Sequence, residues 1–293
     1  MVFLQQLING VMLGSTYALV AIGYTLIFGV LRLLHFAHGE VFMVGAFAAL
    51  GAVVYLGASP LVALLCAAVA SALLGIVIEL VAFRPIRARG GGMLAPIVSS
   101  LGVGLLLQEV ATNLFGADQA HFPPGFEGKV YHLGSLFVDS TQLFILAISF
   151  ALMIGVHLFV TYTKYGVAMR ATAENTEVAS LLGVNANVVI LLTFAVASAL
   201  GGVAGALVGY AFHAISPFMG VSMSVKGVAV MLIGGLGSIY GAMVGGLVLG
   251  IAEIMTVAYL ASSFRDAFSF ALLILVLLIK PEGLFSTGLS GRR

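Results

Sequence analysis

Five stretches of this chain, residues 1–31, 41–78, 140–163, 178–225 and 227–252, contain no Asp, Glu, Lys or Arg. A bilayer-spanning helix needs about 20 predominantly apolar residues, so each stretch is long enough to cross a membrane once or twice. In hydrocarbon the backbone must satisfy its own hydrogen bonds, which favours helices. A water-soluble domain is excluded on the same ground: only 8% of the residues are charged and 61% are hydrophobic, whereas soluble domains carry about 25% charged residues over their cores. The expected class is an all-α, polytopic transmembrane helical bundle.

Apolar runs between polar punctuation predict spans near 7–30, 41–57, 61–83, 94–115, 142–162, 188–212, 222–236, 239–261 and 266–280. The expected count is about eight to ten, because 31–40 and 213–226 can belong to broken or re-entrant helices. Arg84, Arg87 and Arg89 share a short loop, and Lys280, Arg292 and Arg293 end the chain. The excess of basic residues on cytoplasmic loops places both segments, and so the C-terminus, inside. The 116–141 segment holds Asp118, Glu127 and Asp139 against Lys129, with Pro123 and Pro124, and reads as an outer loop. That returns 163–187 to the inside. The N-terminus lacks a basic leader, its first charge being Arg32, and reads as the first span rather than a signal peptide. One transmembrane domain over 1–293 is expected.

A formal net charge of +1 argues against a nucleic acid partner, which needs a basic face. Cys66 is the sole cysteine, so no internal disulfide or cysteine metal cluster can form. The Gly234-Gly235-Leu236-Gly237-Ser238 run lacks the Lys of a phosphate loop, and no nucleotide site or other cofactor is expected in this chain. His35 and His38 stand one helical turn apart, with Glu40 close by. A metal site is conceivable there, but polar residues at a helix break can equally cap free backbone groups or line an aqueous path, and no metal is assigned.

Glycine is abundant, 37 residues, and much of it recurs at helical spacing: Gly201, Gly205 and Gly209; Gly241 and Gly245; Gly246 and Gly250. Without a hydrophobic drive between helices in lipid, such small-residue faces supply close packing. A short echo, His38-Gly39 before Met43 and Gly45 against Lys226-Gly227 before Met231 and Gly234, suggests two related halves, 1–115 and 142–280, as in many transporters.

Charges within or beside spans cost on the order of 3 kcal/mol at the bilayer centre and usually face the bundle interior or a cavity. The candidates are Glu40, Glu79, Glu109, Lys226 and Glu253. Glu79 lies one turn from Phe83 and Arg84, near the cytoplasmic end, where it can pair with arginine or reach headgroups. Arg265 and Asp266, adjacent at a short outer turn, read as an interfacial anchor. Glu40, Lys226 and Glu253 border the Gly-rich breaks, so with His38, Gly39 and Gly227 they are the candidate substrate path.

The 163–187 segment is Ala-rich and predicted to be an amphipathic helix, with Ala173, Val178, Leu181 and Leu182 as an apolar stripe and Glu174, Asn175 and Glu177 outside it. Leu182-Gly183-Val184-Asn185 is a helix stop. Membrane-surface helices are usually rich in Lys and Arg, whereas this one sets two acids around the single Arg170, which points to a protein partner.

These residues carry a resemblance along nearly the whole chain. NGVMLGSTYALVAIGYTLIFGVLRLLHFAHGEVFMVGA from Asn9, RPIR at 84–87, the R-A-x-A-E pattern from Arg170 to Glu174 followed by ASLLGV, KGVAVMLIGGLGSIYGAMVGGLVLGIAE from Lys226, FRDAF at 264–268 and Pro281-Glu282-Gly283-Leu284 resemble the membrane permease of high-affinity branched-chain amino acid ABC transporters, with His35 standing where that family has Asn. The resemblance implies a bacterial or archaeal cytoplasmic-membrane importer built from two permease subunits, two cytoplasmic ATPases that bind ATP and Mg, and an outer substrate-binding protein. It also implies that Arg170, Ala173, Glu174, Asn175, Ala179, Leu182 and Gly183 form the coupling element seated in the ATPase. The cargo is expected to be a branched-chain amino acid or a related small solute, such as another amino acid, an amide or urea. For a zwitterion, half-helix N-termini near Gly39 and Gly227 would receive the carboxylate. A passive channel or ion-coupled carrier is the alternative, weakened by the lack of paired acids deep in the spans.

Overall fold

A computed structural model describes residues 2–90, 92, 94–125, 129–133 and 136–285. Helix α1 (Val2–Leu31) is followed by α2 (His38–Leu56) and α3 (Pro60–Ile78), which runs through a π-helical turn, Glu79–Phe83, into α4 (Arg84–Ala88). After α5 (Leu94–Phe115) come strands β1 (Ala120–His121), β2 (Val130–Leu133) and β3 (Leu136–Asp139), then α6 (Ser140–Tyr162), α7 (Lys164–Glu174) and α8 (Thr176–Leu181). The last third holds α9 (Ala186–Phe212), β4 (Ala214–Ile215), α10 (Met219–Gly234), α11 (Ile239–Tyr259) and α12 (Arg265–Ile279), the last entered by a 3-10 turn at Ser262–Phe264.

Eight helical segments among the described residues have the length and apolarity to cross a membrane: Val2–Leu31, His38–Leu56, Pro60–Ala88, Leu94–Phe115, Ser140–Tyr162, Ala186–Phe212, Ile239–Tyr259 and Ser262–Ile279. The protein is a multi-pass, all-α membrane bundle. The run expected at 222–236 becomes α10, whose 16 residues reach only about 24 Å at 1.5 Å per residue, short of a ~30 Å hydrocarbon core.

Contacts at its two ends orient α1. Near its start, Gln5 Nε2 donates to the Phe137 carbonyl of β3 at 2.8 Å and Gln5 Oε1 accepts from Phe137 N at 3.0 Å; beyond its end, Arg32 reaches the Ala173 carbonyl of α7 at 3.5 Å. One end of the bundle therefore carries the short antiparallel pairs β1–β4 and β2–β3, and the other carries α7, α8 and the arginines, with Arg87 Nη2 donating to Asn187 Oδ1 at 3.3 Å. The segregation expected for 84–89 and 163–187 against 116–139 is present; Glu127, Arg292 and Arg293 lie outside the described residues.

Glycines set the helix separations. A Cβ added at Gly10 would sit 2.7 Å from Ile251 Cα, and one at Gly14 would sit 2.7 Å from the Gly246 carbonyl, so α1 and α11 touch backbone to backbone. On α9, Gly201, Gly205 and Gly209 face His38, the Phe42 backbone and the Phe122 ring. The small-residue faces read from the sequence are packing faces inside the bundle.

Both suspected breaks exist. Helix α1 ends at Arg32 (φ 57°) and α9 at His213 (φ 53°), left-handed conformations that stop a helix and that non-glycine residues adopt at some cost. In each case a short turn follows, His38 N to the His35 carbonyl and Met219 N to the Ser216 carbonyl, both 3.1 Å, and the next helix starts. The pairing of His38-Gly39 with Lys226-Gly227 is corrected by this geometry: α10 passes unbroken through Lys226, and the residue at its start that corresponds to Gly39 is Gly220. The two meet, since a Cβ on Gly39 would collide with the Gly220 carbonyl and Ser224 Oγ.

Candidate functional site

Glu253 sits on α11 with its side chain fully buried. Its Oε1 accepts from Lys226 Nζ of α10 and from Ser269 Oγ of α12, each at 2.8 Å; its Oε2 accepts from Arg265 Nε at 2.7 Å and Tyr17 Oη of α1 at 2.8 Å. Tyr17 Oη in turn accepts from Arg265 Nη2 at 3.0 Å and Lys226 Nζ at 3.3 Å, and Lys226 Nζ lies 3.1 Å from Asp266 Oδ1. A carboxylate removed from water is tolerated only when its lone pairs are taken up, and four donors from three other helices do so here.

This cluster forms one wall of a cavity of about 550 Å³, whose lining also includes Gln119, Val208, Phe212, Ala214, Ile215, Ser216, Met219, Ser222 and Met223. Ala214 and Ile215 form β4, so the cavity belongs to the β-strand end and reaches inward to the middle of α1. Its size is that of a small-molecule site.

The second group lies at the start of α2. His38 is fully buried, edge-on to Tyr24 with ring centroids 4.7 Å apart, and Gly227 lets α10 pass that same ring, where an added Cβ would come within 2.7 Å. His35 packs between Phe83 and Phe194, at 5.0 and 5.4 Å. Neither imidazole makes a well-formed hydrogen bond among the described residues, and no three His, Cys, Asp or Glu side chains there converge as metal ligands. Glu40, nearly buried, lies against Gly220 and lines a cavity of about 300 Å³ with Ser100, Gln108 and Ser224.

The expected path residues therefore form two groups connected through α10 and Tyr24: Lys226 with Glu253, and His38, Gly39 and Glu40 with Gly227 beside them. One expectation fails. Gly227 is inside α10, far from its first turn, so no half-helix N-terminus is available there. Sequence reading also missed Tyr17, Arg265, Asp266 and Ser269. Of the two residues read as an interfacial anchor, Arg265 directs its guanidinium to Glu253 because α12 begins beside it, while Asp266 stays 70% exposed and reaches Lys226. The FRDAF run was visible, as was the one-turn spacing of Arg265 and Ser269; their shared partner on another helix was not.

Of its two expected roles Glu79 takes the arginine pairing, accepting from Arg87 Nη2 at 2.7 Å. Exposed Glu109 accepts from Asn113 Nδ2 at 2.9 Å.

The 163–187 segment departs from the single helix expected. Asn175 adopts φ −156° and ψ 108°, which ends α7, and its Oδ1 accepts from the Glu177 and Val178 amides at 3.0 Å, capping α8. The cap splits the element because an Asn side chain competes with helix continuation. Arg170 donates to the Val160 and Thr161 carbonyls at the end of α6, so it braces α7 against α6 instead of standing free. Ala173 and Glu174 border a 290 Å³ cavity with Phe28, Arg32 and Leu236. Ala179 is buried, whereas Leu181 and Leu182 are 83% and 79% exposed; Gly183 turns the chain at φ 87°.

A family model described as branched-chain amino acid transport system / permease component matches residues 6–277. The high-affinity branched-chain amino acid transport system permease protein LivH of Escherichia coli K12 is 40% identical over 294 residues, covering 96% of this chain and 95% of that protein. The corresponding permease BraD of Pseudomonas aeruginosa is 37% identical with the same coverage, and the probable LivH of Methanocaldococcus jannaschii is 30% identical over 96% of this chain and 92% of its own. No solved structure matches the chain. An inward-reaching cavity in a multi-pass bundle and these full-length similarities agree: the chain belongs to the family of branched-chain amino acid transport system permease components.

Proposed function

We propose that this protein is the membrane permease of an ABC importer that carries branched-chain amino acids or a related small solute by alternating access. The observation that carries the reading is the meeting of two helices that start within the bundle, α2 and α10, at Gly39 and Gly220, between a cavity at one end and exposed α8 at the other. Discontinuous helices crossing near the midplane are where transporters hold their cargo. The path then runs past Lys226 and Glu253 to Gly227, His38, Gly39 and Glu40, and residues 1–115 and 142–280 form two related halves.

The β-strand end faces outward toward a substrate-binding protein; the end with Arg84, Arg87, α7, α8 and the C-terminus faces the cytoplasm across the bacterial or archaeal inner membrane. The exposed Leu181 and Leu182, with Ala173, Glu174, Asn175 and Gly183 and the buried Ala179 beneath, seat in one of two ATPase subunits, which bind ATP and Mg; a second permease subunit completes the complex. Arg170 acts there by holding α7 in place.

Reconstitution tests the whole reading. The permease pair, ATPases and binding protein in liposomes should accumulate radiolabelled leucine only with ATP and the binding protein present. Equilibration of leucine by the purified chain alone would replace the importer with a passive channel or carrier.

A further inference from the structure

Lys226, Arg265 and Asp266 line the 550 Å³ cavity; with Glu253 buried behind them they are electrically neutral, but the two acids are held very differently. Glu253 is fully buried and takes donors from Lys226, Arg265, Tyr17 and Ser269; releasing it would strand two cations. Asp266 is 70% exposed, and among the described residues its one ion pair is the 3.1 Å contact to Lys226 Nζ. Water solvates the exposed Asp266 carboxylate when the pair parts, which makes the contact weak, and the 13% exposed Lys226 keeps its ion pair to Glu253. Lys226 is thus a cation with one fixed and one exchangeable partner.

The exchange has a charge rule. A carboxylate that replaces Asp266 on Lys226 leaves Asp266 free, so the cavity stays neutral only if the incoming molecule also carries a cation for Asp266. An anion alone would add a negative charge beside Asp266 and Glu253, and a cation alone a positive one beside Lys226 and Arg265, with no opposite charge to compensate it. Much of the remaining lining is apolar, from Val208, Phe212, Ile215, Met219 and Met223, and methionine side chains adapt to differing shapes.

Resting on the importer reading, we infer that this cavity is a binding site for a neutral zwitterion: the carboxylate of an apolar α-amino acid displaces Asp266 from Lys226, and the released Asp266 takes the ammonium group. The Glu253–Arg265–Tyr17 contacts do not exchange; they hold Lys226 in position.

Ser222, in the cavity lining, supplies a reporter. A Ser222→Cys, Cys66→Ser permease is assembled with its partner permease and ATPases in nanodiscs, and the rate of modification by a sulfonated, membrane-impermeant thiol reagent is measured. Leucine should slow the reaction at about tenfold lower concentration than leucinamide or 4-methylpentanoate, each of which lacks one charge. Adding Asp266→Asn should reverse the ranking, so that 4-methylpentanoate protects at least as well as leucine, and Asp266→Glu should restore it; a merely structural Asp266 would leave the ranking unmoved. Equal protection by all three compounds, or an unchanged ranking in Asp266→Asn, overturns the inference. If none protects while the reconstituted transporter still imports leucine with ATP, the site is elsewhere and the importer reading stands; if the intact transporter imports none, that reading fails first.

Discussion

Lys226 of α10 and Glu253 of α11 form an ion pair at 2.8 Å, joining the short helix α10 to a full span. Arg265 adds a second cation from a third helix, 2.7 Å from the other carboxylate oxygen, which Asp266 balances. Removing one member of a buried ionic group leaves the rest uncompensated and costs about 3–5 kcal/mol. Glu253→Gln should therefore lower the melting temperature of the solubilised protein markedly, and Lys226→Met added to it should recover part of the loss. Equal melting of Glu253→Gln and the parent would show that the cluster contributes nothing to the fold.

Glycine substitutions should divide by location, not by helix propensity. Gly29 has nothing within 4 Å of an added Cβ, and Gly29→Ala should be neutral or stabilise by about 0.5–1 kcal/mol. Gly39→Ala drives a methyl group into the Gly220 carbonyl and Ser224 Oγ; overpacking of this kind costs about 1–3 kcal/mol, and Ser224→Ala should relieve only part of it, because the backbone contact remains. Thermal scans of the three variants, with leucine uptake alongside, test the order.

Arg170 and the α8 leucines should give different phenotypes. Because Arg170 caps the end of α6, Arg170→Glu should reduce both stability and ATPase association. Leu181→Asp and Leu182→Asp lie on exposed surface and should shift stability by no more than about 0.5 kcal/mol, yet abolish co-purification with the ATPase. Retained co-purification in both leucine variants would remove α8 from the docking surface.

Asn175→Ala removes the cap that starts α8, a loss of about 1 kcal/mol. Amide exchange at 177–181 should accelerate with little change elsewhere, and Asn175→Ser should restore protection. Unchanged exchange would mean that tertiary contacts alone hold the α8 turn.

How far the sequence reached depended on the range of the interaction concerned. Charge-free runs reported the spans because burial in lipid is a property of each segment by itself. Gly201, Gly205 and Gly209 announced a packing face because helical spacing is local. Arg32 and His213, which end the helices before both breaks, gave no such sign: a left-handed cap on a non-glycine residue is imposed by its surroundings. Asn175 was legible as a cap-forming residue, yet the Ala-rich stretch around it read as one continuous helix.

By itself the sequence determined that the chain is a helical membrane bundle, which of its ends is basic, and that Lys226 and Glu253 are charges out of place in lipid. Tertiary structure alone decided what they touch. Arg265 looks like a surface charge until α12 packs beside α11, and Glu253 then accepts from α1, α10 and α12 at once. Partner choice across helices depends on a few ångströms of relative helix position, which local periodicity does not encode, whereas the cost of leaving a charge unpaired in hydrocarbon is written in the residue itself.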